Sequence, residues 1–416
     1  MKDKVIIIGG GLAGLSLANV LKHQGVPYKV YERDASPEAR TQGWSISVHF
    51  CLPYLRKSMD PVKYSKLGVA SAVDPQHTVD GHKLVVFDGD TGEKIIEPVG
   101  GDVEMEVYRV NRGRFRQWLL EGLDVEWDKI LDHYEVTESG IKVTFKDGTT
   151  ETGSVLVGAD GVNSAVCAQI LGNERFQEVT SVNPLQVFGT AYWMDQATRQ
   201  SFEAIAPAHM MAFGSHKGNA RGLFASLSDI DRSGPEPKYE MQWLVSGLDP
   251  LESQPQNDKE RLEIAKKWLE DFHPLFRSLI NETPADKPIL HLTIRERFPS
   301  TELAAKSQKG RIVLIGDAAH AMTMYRGEGG NHGIQDAAEL GMLLVEAYKG
   351  DKLLEQAVQE YYDLMLPRAQ DAVKRSHEAS IFMHGPKEEI KQMFAKMGEQ
   401  IAARARAMKE QQQQEA

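Results

Sequence analysis

Cysteine is almost missing: Cys51 and Cys167 are the only two in 416 residues. A disulfide-stapled scaffold is therefore excluded, although a single bridge stays open, and a reducing, cytoplasmic setting is expected. Positive charge is scarce as well. Lys and Arg number 48 against 59 Asp and Glu, a net charge of −11. Without a long basic run nothing would neutralise a phosphate backbone, so nucleic acid is not an expected partner. Long apolar runs are also lacking. The longest uncharged stretch, Val5 to Leu21, has 17 residues, including four glycines, Ser16 and Asn19. A membrane-spanning helix needs about 20 apolar residues, and no small-residue cleavage site follows. No integral membrane segment is expected. Metal-ligand spacing is missing too, since His273 and His291 have no partner at ligand distance along the chain.

What is present is an apolar fraction of 41% in a chain long enough for two co-packed domains. Val5-Ile6-Ile7-Ile8 is wholly apolar and β-branched, which suits a parallel strand covered on both faces. Glycines follow, then a helical pattern from about Leu12 to Gln24 ended by Gly25, then a strand from Tyr28 to Tyr31. This is a βαβ unit, so the fold class is α/β with a doubly wound, Rossmann-like sheet. Two further strand-like runs end in glycine and aspartate, Ser154–Gly158 and Arg311–Ile315. Between them, runs such as Val187–Trp193 and Met241–Val245 read as an antiparallel sheet able to roof a ligand cavity. The expected division is 1–174 and 301–365 for a nucleotide-binding domain, 175–300 for an inserted substrate domain, and 366–416 for a C-terminal helical region. In that last region Ile390, Met393, Phe394, Met397 and Ile401 recur at helical spacing, whereas Gln411–Gln414 predicts a frayed tail.

Gly9-Gly10-Gly11-Leu12-Ala13-Gly14 satisfies G-x-G-x-x-G between the first strand and helix. Gly9 permits the tight turn, Gly11 lets the backbone approach a pyrophosphate, and Gly14 allows close helix–strand packing; the amides of Leu12 and Ala13 open the helix. Glu32 ends the second strand where a carboxylate can accept from ribose hydroxyls, with Arg33 beside it. This pattern alone does not separate FAD from NAD. Further along, Gly316-Asp317-Ala318-Ala319-His320 places Asp317 just past a buried strand, within reach of a ribityl or ribose hydroxyl. The stretch Gly327 to Ala337 is a glycine-rich start of a helix. There Gly329 and the amides of Gly330 and Asn331 would meet the negative charge that a reduced flavin carries.

With the segment Gly158-Ala159-Asp160-Gly161-Val162-Asn163-Ser164 between them, these motifs resemble, in order and separation, the class A flavoprotein monooxygenases. That family includes aromatic hydroxylases and tetracycline-inactivating monooxygenases, and the resemblance covers roughly residues 1 to 385. It implies that Asp160 and Asp317 contact FAD, and that Arg112, on a helix with Phe115 and Leu119, and Arg40 reach the cofactor. It also implies NAD(P)H as co-substrate, with NADPH favoured. Oxygen from O2 would pass through a flavin C4a-hydroperoxide to hydroxylate or epoxidise a small electron-rich aromatic, indole or polyketide-like molecule. The protein would act as a monomer or homodimer. Such chemistry needs no catalytic triad, and no catalytic residue is named.

Two departures from the family pattern stand out. The arginine that usually closes the Asp-Gly motif is replaced by Cys167, and the usual proline after the Gly-Asp motif gives way to Met322-Thr323-Met324-Tyr325-Arg326. Thr323 and Met324 should border the flavin, and Arg326 with Glu328 reads equally as a charge pair. His320 and His332 read mainly as packing residues. Tyr192, Met211, Phe213 and Phe224 are candidates to line a substrate cavity. Alternatives are a halogenase or reductase of the same fold, without a W-x-W-x-I-P motif to support the former. A flavin-bearing binding protein without turnover is another, for which Cys167 is the argument.

Overall fold

The computed structural model describes residues 3–39, 44–76, 84–96, 106–203 and 208–415. Val5–Ile8 forms the centre of a five-stranded, all-parallel sheet in the order Ile312–Leu314, Val155–Gly158, Val5–Ile8, Tyr28–Tyr31, Val125–Glu126. The run is β-branched and buried on both faces, as a central parallel strand requires. Helix Leu12–His23 crosses over to Tyr28–Tyr31. The chain winds outward on that side and then returns to pair Val155–Gly158 with Val5–Ile8 on the other. That reversal opens a crevice at the carboxyl ends of the strands.

A second sheet has seven strands, in the order Leu290–Leu292, Gln186–Met194, Lys238–Gly247, Asn219–Asp231, His209–His216, Leu84–Asp88, Lys94–Ile96. Its last two strands come from a segment that the sequence reading placed in the first domain. Leu84–Asp88 joins by pairing parallel to His209–His216, a long-range contact with no local signature. Alternation divides the sheet cleanly. Phe188, Tyr192, Met194, Met210, Leu223, Met241 and Trp243 pack against helices Asp258–Trp268 and Pro274–Asn281. The opposite face, which carries Met211, Phe224, Ser226 and Gln242, meets a two-stranded ribbon, Ser45–Val48 paired with Tyr108–Asn111.

Two 29-residue helices, Leu354–Phe382 and Lys387–Glu415, close the chain. The expected boundary at 365/366 falls inside the first. The second continues through Gln411–Gln414, where composition predicted fraying. Its Ile390 and Phe394 are buried against Val86, Ile96, Phe213 and Ala220 of the seven-stranded sheet. Both cysteines are buried and free, so no bridge joins them. Among the described residues, no helix is long and apolar enough to cross a membrane.

Candidate flavin site

Three turns follow three adjacent parallel strands: Gly9 after Val5–Ile8, Ala159-Asp160-Gly161 after Val155–Gly158, and Gly316-Asp317 after Ile312–Leu314. All three line one cleft of about 390 Å³. Gly9 holds φ +116°, and a Cβ there would strike the Ala159 carbonyl, so the first two turns touch. A Cβ on Gly14 would in turn strike the Gly9 carbonyl; Gly14 serves packing and lies outside the cleft lining. The wall is completed by Gly11, Leu12, Ala13, Glu32, Arg33, Arg112, Asp160, Asp317, Gly329 and Gly330.

Glu32 is buried, and its carboxylate accepts from Gly10 N at 2.5 Å and Asp34 N at 3.0 Å. This ties the strand end to the glycine turn and leaves acceptor capacity for a ribose. Asp160 accepts from Ser164 Oγ at 2.5 Å and Ala165 N at 2.8 Å, while Ser164 caps helix Ala165–Leu171. It therefore shapes the loop as well as facing the cleft. Helix Gly329–Lys349 makes its first local bond only from His332 N to Glu328 O at 3.0 Å, so its leading amides point outward at a positive end.

Not every expected residue reaches the cleft. Arg40 lies outside the described residues. The Asn331 side chain turns the other way: its Nδ2 donates to Ser47 O at 2.9 Å and its Oδ1 accepts from His49 N at 2.8 Å. Asn331 thus staples the helix start to the ribbon, leaving only its backbone for a ligand. The structure also corrects three substrate candidates. Tyr192 is on the helix-packed face and its hydroxyl donates to Leu279 O at 2.8 Å. Phe213 stacks on Phe394, centroids 5.7 Å apart, beneath the last helix. Thr323 is buried, with its Oγ1 2.5 Å from Ser376 Oγ and donating to Ser376 O at 2.8 Å. Met211 and Phe224 keep the ribbon-facing side, and Met324 is exposed on a short 3-10 turn.

Arg326 and Glu328 do pair, at 2.8 Å. His320 is fully buried with Nε2 2.5 Å from Asp336 Oδ2, and Asp336 also accepts from Gly316 N at 2.8 Å and Arg368 Nη2 at 2.8 Å. These contacts brace the Gly-Asp turn from behind. His332 is bound to Arg368 Nη1 at 2.9 Å and is part of the same brace.

Two arginines were missed. Arg116 lines the cleft, and its Nε donates to Gly10 O at 2.9 Å. The signal existed, since it follows Arg112 by one helical turn on the same face. Arg297 had no signal. From the short strand Arg295–Arg297 its guanidinium donates to Asp317 O at 3.1 Å, Ala318 O at 2.8 Å and Val162 O, while Nε donates to Thr180 Oγ1 at 3.0 Å. It joins the Asp-Gly loop to the Gly-Asp loop. Cys167 lies buried below, its thiol pushed up to about 11 by burial. The departure at Cys167 thus leaves no gap: a guanidinium reaches these loops from another strand.

Comparison with known proteins bears on which nucleotide this cleft takes. A sequence model of the FAD binding domain matches residues 2–49 and 119–376. The FAD-dependent monooxygenase dbaB of Emericella nidulans is 35% identical over 361 residues, 83% of this chain and 87% of its own. The FAD-dependent monooxygenase thnD of Trichoderma harzianum is 30% identical over 388 residues, covering 90% and 92%. In fold, HpxO of Klebsiella pneumoniae, solved with FAD and uric acid, superposes with a TM-score of 0.71 at 20% identity, covering 94% of this chain and 92% of that one. A strand-end cleft built for a dinucleotide, a family model over most of the length and relatives at these identities agree: the chain belongs to the FAD-dependent monooxygenases.

Proposed function

We propose that this protein uses NADPH and O2 to hydroxylate or epoxidise a small, electron-rich organic substrate. The observation that carries this reading is the convergence of three motif turns on one cleft whose far end, at Gly329 and Gly330, abuts the ribbon beneath the seven-stranded sheet. When bound, FAD supplies the redox chemistry, accepting hydride and activating oxygen. The chain's own residues bind, orient and shield. Glycine-turn amides would hold the pyrophosphate, Glu32 and Asp317 would accept from sugar and ribityl hydroxyls, and the start of helix Gly329–Lys349 would favour negative charge on the ring. The ribbon and sheet would keep water from the reacting face.

The test is to purify the yellow protein and follow NADPH oxidation under O2 across a panel of phenols, indoles and polyketide-like aromatics. Substrate-stimulated oxidation with one atom of O2 entering the product is expected; oxidation that no panel member stimulates or couples to product contradicts the reading. Asp317→Ala should leave the protein with less than about a tenth of its FAD, because a lost hydrogen bond to a carboxylate costs roughly 1.5–3 kcal/mol. Full retention would misplace this contact.

A further inference from the structure

The turn that presents Asp317 is seated by contacts made outside the cleft. Ile315 N still donates to Gly158 O at 3.0 Å, as a strand residue does, but Gly316 leaves the sheet with φ +58°. Its N–H donates instead to Asp336 Oδ2 at 2.8 Å. The same oxygen lies 2.5 Å from His320 Nε2, at the far end of the short helix Asp317–His320. Asp336 Oδ1 accepts from Arg368 Nη2 at 2.8 Å, on the long helix Leu354–Phe382. Asp336 and His320 are fully buried. Burial works against charge on Asp336, yet His320 and Arg368 hold its carboxyl well below the usual carboxylate range.

Backbone packing confines the same turn. A Cβ on Gly316 would stand 3.1 Å from Ala13 Cβ, and one on Gly333 would stand 3.2 Å from Gly316 Cα. Gly316, Gly333 and Ala13 all line the cleft, so the helix of the first motif, the Gly-Asp turn and the start of helix Gly329–Lys349 pack together there. Asp336 lies one helical turn beyond Gly333, on the same face of that helix. One helix therefore touches the turn twice, through the Gly333 backbone and through a carboxylate. Asp317 Oδ1 lies 4.0 Å from where a Gly329 Cβ would be, so a shift of the turn moves this carboxylate against the helix start.

We propose that Asp336 is a positioning residue for the flavin: by holding the Gly316 amide it seats Asp317 against the cofactor and sets how slowly FAD leaves. The proposal rests on the Asp317 contact given under the proposed function. Asp336 itself touches no ligand and takes no part in the oxygen chemistry. Its carboxylate is the one acceptor shared by Gly316 N–H, His320 and Arg368. A neutral amide in its place cannot accept from all three, and a donor left buried and unpaired is costly. The turn recovers its hydrogen bonds only by moving, and Asp317 moves with it.

The test is FAD release from the loaded protein, followed by flavin fluorescence, together with the visible circular dichroism of the bound flavin. Asp336→Asn should release FAD about tenfold faster than the wild type and alter the dichroism. Gly333→Ala keeps every charge in place and presses a methyl group on Gly316; it should speed release about threefold, and it carries the test if Asp336→Asn does not fold. Ile390→Ala controls for general loosening, because it opens a cavity between the last helix and the seven-stranded sheet; release from it should match the wild type. Wild-type release from folded Asp336→Asn, or from Gly333→Ala where the former does not fold, would overturn the proposal. So would release from Ile390→Ala as fast as from Asp336→Asn. Full FAD retention by Asp317→Ala would remove the contact underneath and overturn both readings of that residue. Rapid loss from Asp317→Ala beside unchanged Asp336→Asn would overturn this one alone. Release is read without NADPH, substrate or turnover, so the oxygenase reading stands or falls separately.

Discussion

At the scale of single residues, the site is held by side chains that never meet the ligand. Arg297 donates to three backbone carbonyls on two cleft loops and lies 1% exposed. Arg297→Met would leave those acceptors buried without a donor, each worth about 1 kcal/mol or more. A loss of roughly 3 kcal/mol in stability and weaker FAD retention are expected from thermal melting and flavin titration. A change below about 0.5 kcal/mol, ordinary for an uninvolved surface site, would remove Arg297 from the account. His384 gives a pH signature. It is fully buried, its Nδ1 donates to Ser380 O at 2.7 Å, and burial lowers its pKa from 6.5 to about 4. Folding therefore favours the neutral ring. The unfolded chain takes up the proton first as pH falls below 6.5, so stability should decline toward pH 4 by up to about 1.4 kcal/mol per unit. His384→Gln should flatten that slope in urea melts between pH 7 and 5; an unchanged slope would assign it to other groups.

At the scale of elements, the last helix is a strap across the seven-stranded sheet. Lys387 Nζ lies 2.6 Å from both Asp88 Oδ1 and Asp90 Oδ2, and Ile390 fills the apolar patch beside Phe394. The strap caps the strands that pair out of sequence order, Leu84–Asp88 and His209–His216. Ile390→Ala should cost about 2–4 kcal/mol locally, seen as faster amide exchange across Lys387–Glu415 and Lys94–Ile96 with the parallel sheet unaffected. Uniform acceleration over the whole chain would mean that the strap and body unfold as one unit.

At the scale of the molecule, the sequence exposed what is local and hid what is paired at long range. Val5–Ile8, its glycine turn and Glu32 lie within one βαβ unit, so composition and spacing reveal them. Asp160 and Asp317 were visible because each follows a buried apolar strand. Tyr192 was misplaced because a strand's register decides which face a side chain takes, and a slip of one residue reverses it. Leu84–Asp88 pairs with His209–His216, more than a hundred positions later. Arg297 acts across the fold, where no motif spacing applies. The acidic surface and the lack of a fixed register likewise leave the substrate's outline to the folded chamber rather than to any pattern along the chain.

The central claim is that one FAD occupies the cleft formed by the three strand-end turns. A crystal structure of the FAD-loaded protein tests it most directly. The account predicts an extended FAD with its ribose at Glu32, its pyrophosphate over the turn at Gly9–Gly14, its ribityl chain at Asp317, and its ring at Gly329–Gly330, beside Ile46 of the ribbon. A flavin lodged elsewhere, or one with its ring at the Glu32 end, would contradict it.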